Sequence, residues 1–141
     1  MSKATVVSSS VGGLTALSDA DQSVAQMDLG PGSYVVMVKL NVVGSDVQAR
    51  LTVTNYEIID TPGGTPLTQE IPVGPTAVVD EAQLFSVPQG RPQGIAVTLS
   101  AMGGVKVHPR GRAECICRGP GSVEKIVLVA IEVDELTVIT Q

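Results

Sequence analysis

Apolar and polar residues alternate along several short segments of this chain, as they do in β-strands that bury one face. In segment 33–42 one face carries Tyr34, Val36, Val38, Leu40 and Val42. In segment 47–54 one face carries Val47, Ala49, Leu51 and Val53, and the other face is polar. The polar turn at residues 44–46 separates the two runs, so the pattern predicts a β-hairpin.

The segment from Val123 to Val138 differs, because six apolar residues follow one another from Ile126 to Ile131. It is rich in β-branched residues and no helix cap precedes it, so we predict a strand buried on both faces. Antiparallel sheets normally leave one face to water, and we therefore expect another copy of the chain to cover the second face. The predicted subunit interface consists of Ile126, Val127, Leu128, Val129 and Ile131. The pattern leaves open which side meets the core.

Shorter one-sided segments complete the predicted strands. One carries Ile95, Val97 and Leu99 on one face. Another begins at Val105 and Val107, and residues 113–118, with Cys115 and Cys117 on one face, continue it or pair with it. Between residues 56 and 88, clusters of Pro and Gly predict loops that join short strands near Ile58, Val78 and residues 84–87.

The first part of the chain, residues 1–30, leaves two alternatives. Val6, Val7, Leu14 and Leu17 could form short strands around a Gly-Gly turn, whereas residues 18–27 could form one short helix capped by Ser18. We favour strands or an extended arm.

About eight to ten short strands without a convincing helix predict an all-β fold, and specifically an antiparallel β-sandwich of the jelly-roll kind. The length of 141 residues is most simply one domain, spanning residues 1–141. The predicted core consists of Tyr34, Val36, Val38, Leu40, Val47, Leu51, Val53, Val97, Leu99, Cys115 and Cys117.

Composition narrows the function classes. The hydrophobic fraction of 43% argues against disorder, and a net charge of −5 argues against general attraction to nucleic acid or an anionic membrane. No segment reaches the roughly 18 apolar residues that span a bilayer, and no secretory signal is evident. We therefore expect no nucleic-acid partner, no membrane partner and synthesis in the cytoplasm.

Candidate chemistry is sparse. His108, the single histidine, stands between Val107 and Pro109 with no acid or thiol nearby, and none of the common catalytic or nucleotide-binding motifs occurs. Cys115 and Cys117 are predicted to be reduced core residues, since two thiols and one distant histidine are not the ligands of a zinc site. Glu132 and Asp134 could bind Ca²⁺ from one side of the last strand, although a solvated strand end is the simpler interpretation. We expect no enzyme activity, no metal and no cofactor.

Charge is segregated along the chain. Residues 56–88 carry acids without one Lys or Arg, while basic residues cluster between 103 and 125. Such blocks could dock one subunit on the next, or could be solvated loops. The candidate docking charges are Lys106, Arg110, Arg112 and Arg118. Aromatic residues make up only 2% of the chain, which disfavours ligand binding by ring stacking.

Three sequence stretches carry a resemblance to a known family. They are G-S-Y-V-V-M-V-K-L-N-V at 32–42, A-E-C-I-C-R at 113–118 and V-L-V-A-I-E-V-D-E-L-T-V at 127–138. They resemble the bacterial and phage relatives of the C1q/TNF-like jelly roll, in which a Gly-x-Tyr strand lies early and the closing strand reads L-x-A-I-x-V-x-x-L. The resemblance implies a sandwich of about ten strands that forms tight trimers, with the closing strand near the threefold axis.

Three functions are compatible with this pattern. The first is a structural virion protein, a homotrimer that decorates or cements a phage capsid, because small trimeric jelly rolls without chemistry resemble phage decoration proteins. A tail or fibre component is a variant of that role. The second is a C1q-like module that recognises a cell-surface polymer or protein. The third, an enzyme on a β-barrel, has the least support from the motifs.

Overall fold

A computed structural model of the chain describes the backbone of residues 3–9, 15–44, 46–60, 68–74, 80–85, 95–99 and 104–137. Side chains are described for residues 15–44, 46–59, 70–74 and 104–137. The strands are β1 (Lys3–Ser9), β2 (Thr15–Ala16), β3 (Gln22–Leu29), β4 (Gly32–Gly44), β5 (Val47–Asp60), β6 (Thr68–Pro72), β7 (Asp80–Phe85), β8 (Ile95–Leu99), β9 (Gly104–Val107), β10 (Arg110–Arg118) and β11 (Gly121–Val133). The predicted all-β class is confirmed, and the helical alternative for residues 18–27 is wrong because β3 occupies most of that segment. The strand predicted near Val78 lies outside the described residues.

The strands form two antiparallel sheets. The first sheet has the order β1-β11-β4-β8, with β2 also on β11 and β9 also on β4. The second sheet has the order β3-β10-β5-β6, with β7 also on β5. β1 and β2 share one edge of β11, β8 and β9 share one edge of β4, and β6 and β7 share one edge of β5. Counting each shared edge once, the described strands occupy eight positions along the chain. The first pairs with the last, the second with the seventh, the third with the sixth and the fourth with the fifth, which is the nested pairing of a jelly roll. Within the described ranges, no helix is long and apolar enough to cross a membrane.

The core lies between the two sheets and follows the alternation in the sequence. Inward-facing side chains of β4, β5, β10 and β11 are buried, and the largest include Leu40, Leu51, Ile126 and Leu128. Among the residues expected in the core, the structure buries Tyr34, Val36, Val38, Leu40, Val47, Leu51, Val53, Cys115 and Cys117. The side chains of Val97 and Leu99 lie outside the described residues, although their backbones pair with Leu40 and Val38.

The hairpin predicted from β4 and β5 is wrong. The two strands belong to different sheets, since β4 pairs with β11 and β5 pairs with β10. Their connection is a corner that crosses from one sheet to the other, with φ angles of 111° at Gly44 and 57° at Asp46. Hydrophobic alternation does not distinguish a corner from a hairpin, because both direct the apolar face of each strand into the core.

A β-bulge in β11 explains why residues before and after it both point into the core. The register with β4 shifts between Glu124 and Val127, so β11 has one extra residue there. Lys125 takes a φ of 52° at this point and is exposed. As a result Val123 and Ile126, three positions apart, both point into the core with 0% exposure.

Candidate interaction surfaces

The outer face of the first sheet carries an apolar patch at its centre. Three cross-strand pairs of β4 and β11 build it, namely Val35 with Ile131, Met37 with Val129 and Lys39 with Val127. The five apolar side chains are half-buried and Lys39 is exposed. We call Val35, Met37, Val127, Val129 and Ile131 the apolar patch. A shallow groove of about 230 Å³ lies over Met37, Lys39, Val127 and Val129.

The structure divides the predicted interface residues between two faces of β11. Ile126 and Leu128 point inward and are fully buried within the chain itself. Val127, Val129 and Ile131 point outward and belong to the apolar patch. A single chain therefore covers one face of the strand completely and leaves the other face only half covered.

The segment after β11 covers one border of the patch. The side chain of Leu136 packs directly on the α-carbon of Gly104 and occupies the space that a Cβ atom at residue 104 would need. Gly104 pairs with Val35 of the patch through the β4–β9 ladder. The absence of a side chain at this position thus lets Leu136 pack on the outer face of the first sheet, beside the patch.

The outer face of the second sheet has the opposite character, because ion pairs occupy it. Arg50 Nη2 lies 3.2 Å from Asp21 Oδ2, and Arg112 Nε lies 3.2 Å from Asp28 Oδ1. The hydrogen bond to Asp28 is the main reason that the pKa of Arg112 is raised. Exposed pairs of this kind contribute only about 0–1 kcal/mol each, but they make the surface hydrophilic.

All four candidate docking charges have interactions within the chain. Arg110 forms an ion pair with Glu70, and Arg112 forms one with Asp28. Arg118 donates a hydrogen bond to Gln48 and lies 3.8 Å from Asp21. Lys106, on β9, is exposed and also has an interaction within the chain. The Arg110–Glu70 pair joins the basic block to the acidic block of the same molecule.

A two-stranded extension of the second sheet projects beyond its neighbours. The ladder between β5 and β10 ends at Tyr56 and Arg110, whereas the ladder between β5 and β6 continues to Asp60 and Thr68. We call residues 57–60 and 68–73 the arm. At about 3.4 Å per residue, β5 runs roughly 13 Å past Arg110, the first residue of β10.

The arm carries the large apolar side chains that the described part of the chain exposes. These are Ile58 and Ile59 with 40% exposure each, Ile71 with 42% and Val73 with 52%. Ile59 and Ile71 lie on the face that continues the core side of the sheet, as the pairing of Glu57 with Ile71 indicates. The short strand predicted near Ile58 is part of β5. Its exposure could not be predicted from the sequence, because it depends on the ladder with β10 stopping at Tyr56.

A buried asparagine fixes the base of the arm. Asn55 is 2% exposed, and its Nδ2 donates a 2.6 Å hydrogen bond to the carbonyl oxygen of Gly74. The backbone N–H of Val73 donates a 2.9 Å hydrogen bond to the carbonyl oxygen of Asn55. Buried polar groups of this kind order the backbone that they contact, so the arm is held in a defined direction at its base.

The residues with possible chemistry are dispersed. His108 is exposed in the turn between β9 and β10. Cys115 and Cys117 are free and buried, and the hydrogen bond between their side chains together with burial raises the pKa of the Cys115 thiol. Tyr34 donates a 2.9 Å hydrogen bond to the Gly30 carbonyl, and burial followed by the nearby Glu132 carboxylate raises its pKa. The described residues contain no group of three or more His, Cys, Asp or Glu side chains that could hold a metal ion.

Comparisons with known proteins add little to this geometry. No family model and no curated protein matches the chain. Among solved structures, the chain is similar to one in the "Structure of infectious bursal disease virus Gx strain", with 13% sequence identity and a TM-score of 0.31. The match covers 93% of this chain and 36% of that one, so the chain spans about a third of its length. No functional conclusion follows from similarity at this level.

Proposed function

We propose that this protein is a structural virion subunit, a homotrimeric jelly roll that decorates or cements a phage capsid through protein–protein contacts. The jelly-roll sandwich and the resemblance to C1q/TNF-like modules support the trimer. The observation that carries the proposal is the contrast between the sheets, since the first exposes an apolar patch and the second exposes ion pairs. An apolar patch at the centre of one outer sheet face, on the side opposite a face with ion pairs, is typical of a protein–protein contact.

The energy of the patch indicates how large the contact must be. Burying one such side chain fully is worth about 1.5–3 kcal/mol, and the five patch residues are already half-buried. Completing their burial therefore contributes roughly 1 kcal/mol each, or about 5 kcal/mol for each copy. Association costs about 4–15 kcal/mol, and specific interfaces bury about 1,200–2,000 Å² in total. The patch is thus the centre of a larger interface that includes further surface.

A charge placed in the patch tests the assembly. In a Val129→Asp variant, the carboxylate would lose its water when copies associate, so we expect a monomer in native mass spectrometry where the wild type is a trimer. Val129 points away from the core, and circular dichroism should therefore still report a folded chain. Met37→Glu, on the neighbouring strand, should give the same result.

The matched control is Ile116→Asp on the second sheet. Ile116 also points outward from a central strand, and it pairs with Arg50 of β5. A carboxylate there joins the existing ion pairs, so this variant should remain trimeric. A trimer that persists in Val129→Asp and Met37→Glu would contradict the proposed use of the patch.

The capsid role requires a separate experiment. Purified wild-type protein should cosediment with capsid particles from the same source and saturate at a fixed number of copies per particle. The monomeric Val129→Asp variant should bind them much more weakly, because a trimer engages several shell subunits at once. A trimer that does not cosediment with particles would contradict the capsid role but not the proposed trimer.

A further inference from the structure

Lys39 determines how copies of the chain can meet. It lies in the first sheet's outer face, directly opposite Val127 and beside the groove of the apolar patch. No carboxylate among the described residues pairs with it. If two or three copies met patch to patch around a symmetry axis, their Lys39 side chains would come together and lose water without a partner. Like charges in a buried contact oppose association, so the occupant of the patch should bring a negative charge.

The arm has the complementary composition. On its core-side face, Ile59 and Ile71 expose apolar surface on either side of Glu57, which pairs with Ile71 across the ladder. Glu57 is exposed and has no ion-pair partner among the residues that the structure describes. This face therefore offers aliphatic side chains around one carboxylate, whereas the patch offers aliphatic side chains around one ammonium group.

The arm is also prepared for docking. Asn55 anchors its base through the Gly74 carbonyl, and the ion pair between Arg110 and Glu70 holds its other face. An element ordered before binding loses less conformational entropy on association than a loop that must be ordered then.

We propose that the arm of one copy docks on the apolar patch of the next copy, with Glu57 paired to Lys39 and with Ile59 and Ile71 against Val127 and Val129. This inference rests on the proposed self-association and identifies its contact. The contact joins two different surfaces, so each copy gives an arm and receives one. Such a head-to-tail interface closes into a ring when the rotation between copies is one third of a turn.

Charge reversal tests the contact. Glu57→Lys and Lys39→Glu should each raise the trimer dissociation constant by about tenfold or more, because each places like charges in the interface. The double variant restores opposite charges and should return the dissociation constant to within about threefold of the wild type. The measurement is native mass spectrometry over a dilution series, with circular dichroism to verify folding.

Glu57→Gln and Glu70→Gln form the matched control pair. Both remove one carboxylate from the arm, but Glu70 lies on the opposite face and pairs with Arg110 of its own chain. Glu57→Gln should weaken the trimer more than Glu70→Gln, because Glu57 would lose a contact between copies, whereas Glu70 would lose only an exposed ion pair within its own chain. Equal effects of the two changes would indicate that general charge, rather than a specific face of the arm, governs association.

Crosslinking locates the pair directly. Isotope-labelled and unlabelled protein are mixed, allowed to exchange, and treated with a carbodiimide that joins carboxylates to amines in contact. A Glu57–Lys39 peptide that joins a labelled chain to an unlabelled chain supports the inference. A wild-type trimer that is insensitive to all arm variants and yields no such crosslink overturns the inference and leaves the proposed trimer intact. A wild-type monomer overturns the proposed trimer itself.

Discussion

Neighbouring residues on β11 provide a quantitative test of which face meets the core. Leu128 is fully buried within the chain, so Leu128→Ala should destabilise the folded monomer by about 3 kcal/mol, within the range of about 2–5 kcal/mol for buried leucines. Val129 is half-buried on the outer face. Val129→Ala removes two methyl-sized groups worth about 0.8 kcal/mol each when fully buried, and half of that is about 0.8 kcal/mol. The difference between the two variants should be about 2 kcal/mol.

The assay is urea unfolding followed by circular dichroism at two protein concentrations. At the lowest concentration, where copies are separate, the free energies of unfolding should differ as calculated, with equal m values. At high concentration Val129→Ala should lose additional stability relative to the wild type, because assembly stabilises only the folded state. If Val129→Ala were as costly as Leu128→Ala in the dilute protein, the assignment of the two faces would be wrong.

Three further predictions concern the chain alone. Burial, and then a neighbouring carboxylate, raise the pKa of Tyr34. The stability that its neutral phenol provides is therefore present below about pH 10 and is lost as the pH rises through the folded pKa. In urea titrations from neutral to alkaline pH, Tyr34→Phe should lose less stability than the wild type, and equal losses would contradict this. Cys115 and Cys117 should resist a thiol reagent in native buffer and react in denaturant; rapid native modification would show that they are accessible. Lys125→Gly should be neutral or stabilising by up to about 1 kcal/mol in thermal unfolding, because glycine adopts the left-handed backbone of this position without strain. The control Gln26→Gly, in a regular part of β3, should cost about 1 kcal/mol. Equal losses in the two variants would contradict the bulge geometry.

The alternation of side chains was sufficient to predict the class of fold and most of the core. The run from Tyr34 to Val42 and the run from Val47 to Val53 face inward as the period of two requires. Pairing partners could not be predicted in the same way, because they depend on contacts distant in sequence. The hairpin error at β4 and β5 has this cause, since the sequence shows which face of a strand is apolar but not which sheet contains it.

The candidate interfaces were predictable only in part. An unbroken apolar run indicated that β11 needs cover on both faces, yet only the bulge at Lys125 determines that Ile126 and Leu128 point inward. The arm was not recognised, because its exposure results from the ladder between β5 and β10 stopping at Tyr56 while β5 continues to Asp60. The basic residues were predicted as docking charges from their clustering, but Arg110 pairs with Glu70, which lies forty positions earlier in the chain.

The measurement that most directly tests the central claim is the native mass of the untagged wild-type chain across a dilution series. The account predicts a trimer that separates into monomers only at the lowest concentrations of the series, because the apolar patch and the arm are both covered in the trimer. A chain that is monomeric at every concentration would contradict the account, since the half-covered face of β11 would then need no partner.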